Sequence, residues 1–439
     1  MRRRGAARIR RSAATIGEIH AVNPRAASIF NALPRIPRSP PIMHVIIIGG
    51  GIGGLCLAQG LKKEGISFSL FERDPGKNYR RQGYRLRINP DGSGALKANL
   101  PENVWKLFQN TCANNIFGFT QIDGETATVR ERSEGPNRAR GAGARGSPSD
   151  VYTADRATLR DVLMTDLEES MKFGKTFVRY EENGDKIVAH FSDGTSVEGD
   201  LLVGADGVYS RVRRQFLPDF NLIDTDGRAI YGKTPITDEL LQRFNKNASE
   251  WMTIISDSKD VHLFLEFIHF PKDPADVSPI LASVKDYVYW VLISHSANFS
   301  HSDEEFLSHD AQAAAALSVK MTKDWDPSLR SVLELQQVEK SSIVRITSIL
   351  EPAKWKPARI TLLGDAVHSM PPTGGVGANT ALRDAETLVG VLKTSGIEGV
   401  GEYEDQMRQY AAEAVTRSLG AIQKTFGIAM TKRRPLELK

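Results

Sequence analysis

The segment His44–Gly54 constrains the fold of this chain more than any other stretch. A run of four β-branched residues leads directly into the motif Gly49-x-Gly51-x-x-Gly54. Such a run is typical of a strand buried on both faces of a parallel sheet. The glycines allow a tight turn, close approach of the backbone to a pyrophosphate and close packing of the following helix. The segment therefore predicts a strand, a phosphate-binding turn and a helix at residues 53–64.

A second apolar run, residues 68–71, ends in Glu72, which lies 18 residues beyond Gly54. This separation is close to the roughly 20 residues expected for an acid that binds a ribose hydroxyl in a βαβ unit. Strand, glycines, helix, strand and acid thus occur in the order that dinucleotide binding requires. Because a glycine-rich turn that merely packs would leave the acid unexplained, we interpret this unit as a dinucleotide site.

Two later segments repeat the pattern of a buried strand followed by an acid. Residues 201–204 precede Asp206, and residues 360–364 precede Asp365. Ligands of parallel sheets bind at the carboxyl ends of the strands, so we expect both acids beside the dinucleotide. The helical pattern that begins near residue 378 adds free N–H donors at its N-terminus.

Changes of composition along the 439 residues indicate more than one domain. Residues 228–350 contain aromatic-rich strand patterns with few helical signals, which predicts an antiparallel sheet. Residues 131–150 are low in complexity and almost free of apolar side chains, as in flexible surface loops. The expected organisation is a basic disordered tail (1–42), the first part of the nucleotide domain (43–220), a substrate-binding lobe (221–350), and a return to the nucleotide domain with C-terminal helices (351–439).

Composition also restricts the class of protein. The chain is 41% hydrophobic and 25% charged, as in ordinary globular proteins. No apolar stretch approaches the roughly 20 residues that cross a bilayer. The two cysteines, Cys56 and Cys112, provide neither a disulfide framework nor a metal-ligand cluster. We therefore expect no transmembrane segment, no metal site and a cytoplasmic location.

The net charge of +4 conceals two oppositely charged parts. Residues 1–42 contain nine arginines and one acid, a charge of +8, so the remaining chain carries −4. This balance argues against nucleic-acid binding. The tail has three interpretations: a mitochondrial transit peptide, a disordered basic arm, or a gene-model extension with Met43 rather than Met1 as the true start. We favour the extension over the transit peptide.

Three segments together resemble the fingerprints of one family. GGGIGG followed by FERD, then GADGVYSRVR, then GDAVHSMPPTGGVGAN are similar, in order and spacing, to single-component FAD-dependent aromatic hydroxylases. This p-hydroxybenzoate hydroxylase-like group includes many monooxygenases of fungal and bacterial polyketide pathways. The resemblance covers roughly residues 43–430. It implies an α/β fold: an FAD-binding Rossmann-like domain of the GR2 type with a mostly parallel sheet, plus an antiparallel-sheet substrate domain inserted in the chain.

The resemblance also implies where FAD binds. The glycines Gly49, Gly51 and Gly54 hold the pyrophosphate, and Glu72 binds the adenosine ribose. Asp365 binds the ribityl chain. Asp206 serves both FAD and the transient nicotinamide cofactor. Further cofactor contacts are implied for Arg73, Gly83, Arg156, Gly375, Gly377, Ala378 and Asn379, the last four beside the isoalloxazine ring.

The activity that the resemblance implies is oxygen-dependent hydroxylation. Such enzymes use NAD(P)H and O2, through a flavin C4a-hydroperoxide, to hydroxylate a hydrophobic aromatic or polyketide-like small molecule in secondary metabolism. The alternatives are a related halogenase, a dehydrogenase or reductase, a Baeyer–Villiger-type oxygenase, and an FAD-binding protein without turnover. The WxWxIP segment of the halogenases and the PxxYxWxFP segment of the prenyl reductases do not occur here.

One stretch departs from the family pattern. Several phenol-hydroxylating relatives hold a phenolate with an arginine where this chain has Tyr231. Tyr231 is therefore a candidate catalytic residue that hydrogen-bonds the substrate, with a structural tyrosine as the alternative. Arg85 or Arg87 could supply positive charge instead, but their alternation predicts a solvated strand face. We interpret His368 as a loop-packing residue rather than a base.

Overall fold

The computed structural model describes residues 43–77, 79, 84–134, 150–299, 301–427 and 434–435. The predicted basic tail, Gly83 and residues 135–149 of the predicted loop lie outside these ranges. The chain divides after residue 42, and the elements described below belong to the unit Met43–Lys439.

Eighteen strands are present in the described residues. In chain order they are β1 (His44–Ile48), β2 (Ser67–Phe71), β3 (Arg85–Ile88), β4 (Gly118–Asp123), β5 (Val129–Glu134), β6 (Tyr152–Asp155), β7 (Met171–Lys172), β8 (Phe177–Asn183), β9 (Lys186–Phe191), β10 (Ser196–Gly199), β11 (Leu201–Gly204), β12 (Ile223–Pro235), β13 (Met252–Ser256), β14 (His262–Ile268), β15 (Tyr287–His295), β16 (Ser342–Ser348), β17 (Ile360–Leu362) and β18 (Arg434–Pro435).

Thirteen α-helices accompany them in the same part of the chain. They are α1 (Ile52–Lys63), α2 (Pro90–Asn99), α3 (Glu102–Asn110), α4 (Arg156–Leu163), α5 (Arg211–Phe216), α6 (Asp238–Arg243), α7 (Pro274–Val277), α8 (Asp303–Ser308), α9 (Ala311–Met321), α10 (Pro327–Glu334), α11 (Asp365–His368), α12 (Gly377–Ser395) and α13 (Val400–Phe426). None of these helices is long and apolar enough to span a membrane.

A five-stranded parallel sheet forms the centre of the nucleotide domain. Its order is β17-β11-β1-β2-β7, and every pair within it is parallel. Strand β1 is central, and Val45 to Ile48 are buried on both faces, as their β-branched side chains predict. The carboxyl ends of β1, β11 and β17 therefore meet at one edge, which confirms the predicted Rossmann-like architecture.

The second sheet is large and mostly antiparallel, as predicted. Its order is β16-β12-β15-β14-β13-β4-β5, with β18 paired to β12, and among these described strands only the β13–β4 pair is parallel. Strands β4 and β5 come from the segment expected to belong to the nucleotide domain. Residues 131–134, assigned from composition to a loop, complete β5.

A two-stranded antiparallel sheet, β3-β6, pairs Arg85 with Asp155 in register. Strand β6 runs directly into α4, whose N-cap is Asp155 as predicted. The carboxylate accepts hydrogen bonds from the amides of Ala157 and Thr158 at 2.9 and 3.2 Å. This short sheet therefore positions two charged residues and the start of a helix at one place.

Close packing in the large sheet centres on Trp290 in β15, which is fully buried. It pairs in register with Gly232 of β12, and a Cβ at Gly232 would lie 2.0 Å from the indole carbon Cζ2. The indole Nε1 donates to Thr234 Oγ1 at 3.1 Å. Glycine at position 232 is thus required by the space that the tryptophan occupies.

Replacing Gly232 by alanine should destabilise the protein by about 1–3 kcal/mol, because the indole must shift within a packed core. Urea unfolding followed by tryptophan fluorescence measures the change. Gly390→Ala is the matched control: Gly390 is exposed in α12, and its Cβ would meet no atom within 4 Å. That control should stabilise the protein by about 0.5–1 kcal/mol. A Gly232→Ala variant as stable as the wild type would contradict the packing argument.

Candidate functional site

A cavity of about 1090 Å³ lies at the carboxyl ends of β1, β11 and β17 and extends to the inner face of the large sheet. Ligand sites in proteins usually measure about 300–1,000 Å³. This cavity is therefore large enough for a cofactor with a substrate beside it. One of its ends is lined by glycine-rich turns and acids, and the other by tyrosines and arginines.

The glycine turn between β1 and α1 forms one wall of the cavity. Gly49 has a φ of +115°, and a Cβ there would lie 2.3 Å from the carbonyl oxygen of Ala205, so only glycine fits. A Cβ on Gly51, in contrast, would have no atom within 4 Å. The turn packs against protein on one side and leaves its backbone accessible to a ligand on the other.

Glu72 is buried at the end of β2 and fixes this turn. Its Oε2 accepts from the Gly50 amide at 2.8 Å, and its Oε1 accepts from the Asp74 amide at 3.0 Å. Arg160 of α4 donates from Nε to the Gly50 carbonyl at 2.9 Å. Arg160 was not among the residues predicted from the sequence. The available signal was its spacing of four residues from Arg156, which places both side chains on one helix face.

Asp206 follows β11 and lines the same cavity. Its Oδ2 accepts from the amides of Arg211 and Val212 at 2.7 and 3.3 Å. Its Oδ1 is buried without a hydrogen-bond partner among the described residues. Burial raises the pKa of this carboxyl. A buried acceptor without a partner, at the end of a parallel strand, is suited to a ligand hydroxyl or amide.

Asp365 follows β17 and also lines the cavity, on a turn that begins with Gly364 at a φ of +63°. Burial raises the pKa of Asp365. Behind the turn, Asp384 of α12 accepts from the Gly364 amide at 2.7 Å, from His368 Nε2 at 2.6 Å and from the Tyr410 hydroxyl at 2.8 Å. His368 is therefore a buried partner of Asp384 that supports the loop, which agrees with its predicted packing role.

Two long helices begin at the cavity wall, and neither N-terminus is capped by a side chain. These are α1 after Gly51, and α12 after Val376. Uncapped first-turn amides, together with the helix dipole, attract anionic groups. The two helices thus provide anion-binding positions on different sides of one cavity.

Tyrosines line the end of the cavity that faces the large sheet. Tyr231 and Tyr289 lie on β12 and β15, and Tyr84 packs on Tyr231 with ring centroids 5.0 Å apart. Burial raises the pKa of Tyr231 well above its ordinary value, so its hydroxyl stays protonated at neutral pH. The structure places the candidate catalytic residue Tyr231 on the cavity wall, where its hydroxyl is a neutral donor or acceptor.

Arg85 and Arg87 do not lie on a solvated strand face, so that expectation was wrong. Both line the cavity, with side chains only 11% and 15% exposed. Each guanidinium binds the carboxylate of Glu266, which is fully buried in β14. Two cations share one anion, which leaves one positive charge. The partner lies about 180 residues away in the sequence, so the local alternation could not reveal it.

The cavity brings together most residues predicted to contact the cofactor. The residues on its wall are Gly49, Gly51, Gly54, Glu72, Arg73, Arg156, Asp206, Asp365, Gly375, Gly377 and Ala378. Asn379 is not among the residues that line the cavity, and its predicted cofactor contact stays a prediction; its side-chain Oδ1 accepts from the Asn89 amide, and its Nδ2 donates to the carbonyls of Arg87 and Gly375. Gly83 lies outside the described residues.

The residues present fit a dinucleotide. An open glycine turn with an uncapped helix suits a pyrophosphate. The unpartnered Oδ1 of Asp206 and the carboxylate of Asp365 suit hydroxyl-bearing linkers between two ring systems. No group of three or more acidic, histidine or cysteine side chains in the described ranges could hold a metal ion.

Comparison with family models agrees with this geometry. A model described as "FAD binding domain" matches residues 106–418. A second, described as "NAD(P)-binding Rossmann-like domain", matches residues 47–110 and thus includes the glycine turn.

Individual relatives cover most of this chain. It is 37% identical over 430 residues to the dual O-methyltransferase/FAD-dependent monooxygenase elcB of Phaeosphaeria nodorum. The alignment covers 88% of this chain and 45% of that protein. The chain thus spans about half the length of the dual enzymes it matches. It is 30% identical to the FAD-dependent monooxygenase thnD of Trichoderma harzianum, over 87% of this chain and 91% of that protein.

A solved structure shares the fold. Klebsiella pneumoniae HpxO, crystallised with FAD and uric acid, superposes with a TM-score of 0.69 at 21% identity, covering 88% of this chain and 89% of that one.

The His368–Asp384 pair generates a prediction about pH. Burial alone would lower the pKa of His368, but Asp384 raises it above the ordinary 6.5. Because the folded-state pKa is the higher one, the pair's stabilisation is complete below pH 6.5 and is lost as pH rises through the folded-state value. His368→Gln should therefore cost about 3 kcal/mol at pH 6 and less at pH 9.

Urea unfolding of both proteins at the two pH values measures this difference. The control is His190→Gln, which removes a partly exposed pair with Glu181 and should cost under about 1 kcal/mol. A cost for His368→Gln that grows with pH would refute the assignment of a protonated His368.

Proposed function

The chain belongs to the family of FAD-dependent monooxygenases, with FAD as its cofactor, and we propose that it uses NAD(P)H and O2 to hydroxylate a hydrophobic aromatic or polyketide-like small molecule. The observation that carries this proposal is the continuity of the cavity. The residues assigned to a dinucleotide and the aromatic residues of the large sheet line one continuous cavity. A protein that only stored FAD would have no use for the second end.

At the cofactor end, the chain's own groups bind FAD and orient it. We assign the pyrophosphate to the glycine turn and the N-terminus of α1, and the adenosine ribose to Glu72. We assign the ribityl hydroxyls to Asp365 and Asp206. When bound, FAD supplies the redox chemistry with O2, and the protein supplies position and electrostatics. The uncapped N-terminus of α12 stabilises negative charge on the ring system.

At the aromatic end, the chain holds the substrate. The rings of Tyr84, Tyr231 and Tyr289 provide apolar surface around a few hydroxyl groups. Apolar surface at this end would limit the access of water to the oxygen chemistry that FAD supplies when bound. Tyr231 then acts as a hydrogen-bonding group that orients the substrate at its oxygen substituent.

The positive charge of the Arg85–Arg87–Glu266 cluster favours a substrate with an acidic group. Arg85 also lies 5.6 Å from the ring centroids of Phe264 and Tyr289, so the charge borders aromatic surface. Its Nε is buried without a hydrogen-bond partner in the described part of the chain. We therefore propose an aromatic substrate that presents a phenolate or carboxylate to these arginines.

The test of the activity is incubation with NADPH, air and a panel of phenolic compounds, with product mass measured. Substrate-stimulated NADPH oxidation and a product heavier by one oxygen atom are expected. A protein that binds FAD but oxidises no NADPH under any condition would be a binding protein instead. A product lacking an added oxygen atom would indicate a dehydrogenase.

Asp365→Ala should weaken FAD binding by at least about tenfold, because a charge-assisted hydrogen bond to the cofactor is lost. Fluorescence titration of the apoprotein with FAD gives the dissociation constant. Asp185→Ala, at a carboxylate with a 94% exposed side chain that does not line the cavity, is the control and should bind FAD normally. Equal FAD affinity in both variants would exclude Asp365 from the site.

Arg85→Gln should reduce the preference for acidic substrates by about 10–100-fold, the cost of one charge-assisted hydrogen bond. The measurement compares kcat/KM for 2,4-dihydroxybenzoate and its methyl ester. Arg132→Gln is the control: Arg132 of β5 stacks on Trp251 and does not line the cavity. An unchanged acid-to-ester ratio in Arg85→Gln would count against the proposed substrate class.

A further inference from the structure

Lys233 is a buried charge on the cavity wall that the proposed function does not use. It lies on β12, two residues after Tyr231, and is 8% exposed. Its Nζ is 2.5 Å from Asp155 Oδ2 and 3.8 Å from the ring centroid of Tyr287. The Tyr287 hydroxyl donates to the same Oδ2 at 3.0 Å. We call Lys233, Tyr287 and Asp155 the Asp155 bridge.

The two oxygens of Asp155 have separate tasks. Oδ2 receives Lys233 and Tyr287, which belong to the large sheet. Oδ1 accepts from the first-turn amides of α4. One carboxylate therefore joins the sheet that bears the tyrosines to the helix that bears Arg156 and Arg160.

The contacts continue from α4 to the cofactor end. Arg160 donates to the carbonyl of Gly50 in the glycine turn. Arg156 starts α4, and its guanidinium lies 5.5 Å from the ring centroid of Tyr84 on the cavity wall. A continuous set of hydrogen bonds thus runs from Lys233 through Asp155 and α4 to the turn that we assign to the pyrophosphate.

Electrostatics favours the charged form of this bridge. Burial alone would raise the pKa of Asp155, but Lys233 and the hydrogen bonds outweigh it, and the pKa lies below its usual range. Removing Lys233 would leave a buried carboxylate bound only by neutral donors, so it would reorient or draw in water. A reorientation of the carboxylate would break the hydrogen bonds of Oδ1 to the first turn of α4.

We propose that Lys233 is a positioning residue that acts through Asp155 to hold α4, and with it Arg156 and Arg160, in the place that FAD binding requires. This inference rests on the proposed function only in assigning FAD to the cavity. Lys233, on the large sheet that faces the substrate, would then set the geometry of the cofactor end. A structural change at the substrate end would therefore also change FAD binding.

The test uses Lys233→Met, the double variant Lys233→Met/Asp155→Asn, and Lys233→Arg. The double variant has no unpaired buried charge, and asparagine retains the N-cap, so it keeps the test valid if Lys233→Met fails to fold. Arg228→Met is the matched control: it removes a buried ion pair with Asp224 from the same strand, and Arg228 does not line the cavity.

Two measurements are made: the FAD dissociation constant, and hydrogen–deuterium exchange of residues 156–163 in the FAD-loaded protein. We expect at least about tenfold weaker FAD binding and faster exchange in α4 for the double variant, the loss of about one charge-assisted contact. The same changes are expected for Lys233→Met if that variant folds. Lys233→Arg keeps the positive charge and should retain most of the wild-type affinity for FAD. Arg228→Met should change neither quantity.

The inference is overturned if the double variant keeps both values within about twofold of the wild type, or if Arg228→Met shifts them equally. The two proposals fail in different ways. If the wild type itself binds no FAD, the proposed function fails. If the wild type binds FAD and the double variant binds it equally well, only the role of Lys233 fails.

Discussion

The close approach of the turn after β1 to the turn after β11 is the constraint on which the remaining site depends. Gly49 at the end of β1 lies so near Ala205 after β11 that no side chain fits between them. This approach brings the turns after two parallel strands together, and the turn after β17 joins them because β17 pairs with β11. Three segments far apart in the sequence therefore contribute to one wall, and the acids that follow their strands face a common space.

Most of the parallel sheet and its turns could be predicted from the sequence because the signals are local. The β-branched run before Gly49, the acid after β2 and the N-cap at Asp155 each depend on neighbours within a few residues. The predicted first helix differs from α1 by one residue at each end. Local rules of this kind require no knowledge of distant segments, so the elements they govern can be placed from the amino-acid order alone.

The contacts that the sequence could not reveal are those between distant segments. Arg85 and Arg87 alternate as residues on a solvated strand do, and only the fold brings Glu266 of β14 to them. Lys233 gave no signal either, since its partner Asp155 lies 78 residues earlier. The Asn379 side chain links the loop before α12 to the end of β3, which lies about 290 residues earlier. Long-range electrostatics and hydrogen bonding, rather than periodicity, decide these positions.

The parallel pairing of β13 with β4 has a consequence for any attempt to exchange substrate lobes between relatives. A transplant limited to the later strands would separate β13 from its own partner and pair it with the recipient's equivalent of β4. Where the two strands do not match, backbone amides and carbonyls are left exposed, and such an edge recruits other chains. The unit that can be exchanged is therefore discontinuous, and it must include the hairpin formed by β4 and β5, which precedes the rest of the lobe by about a hundred residues.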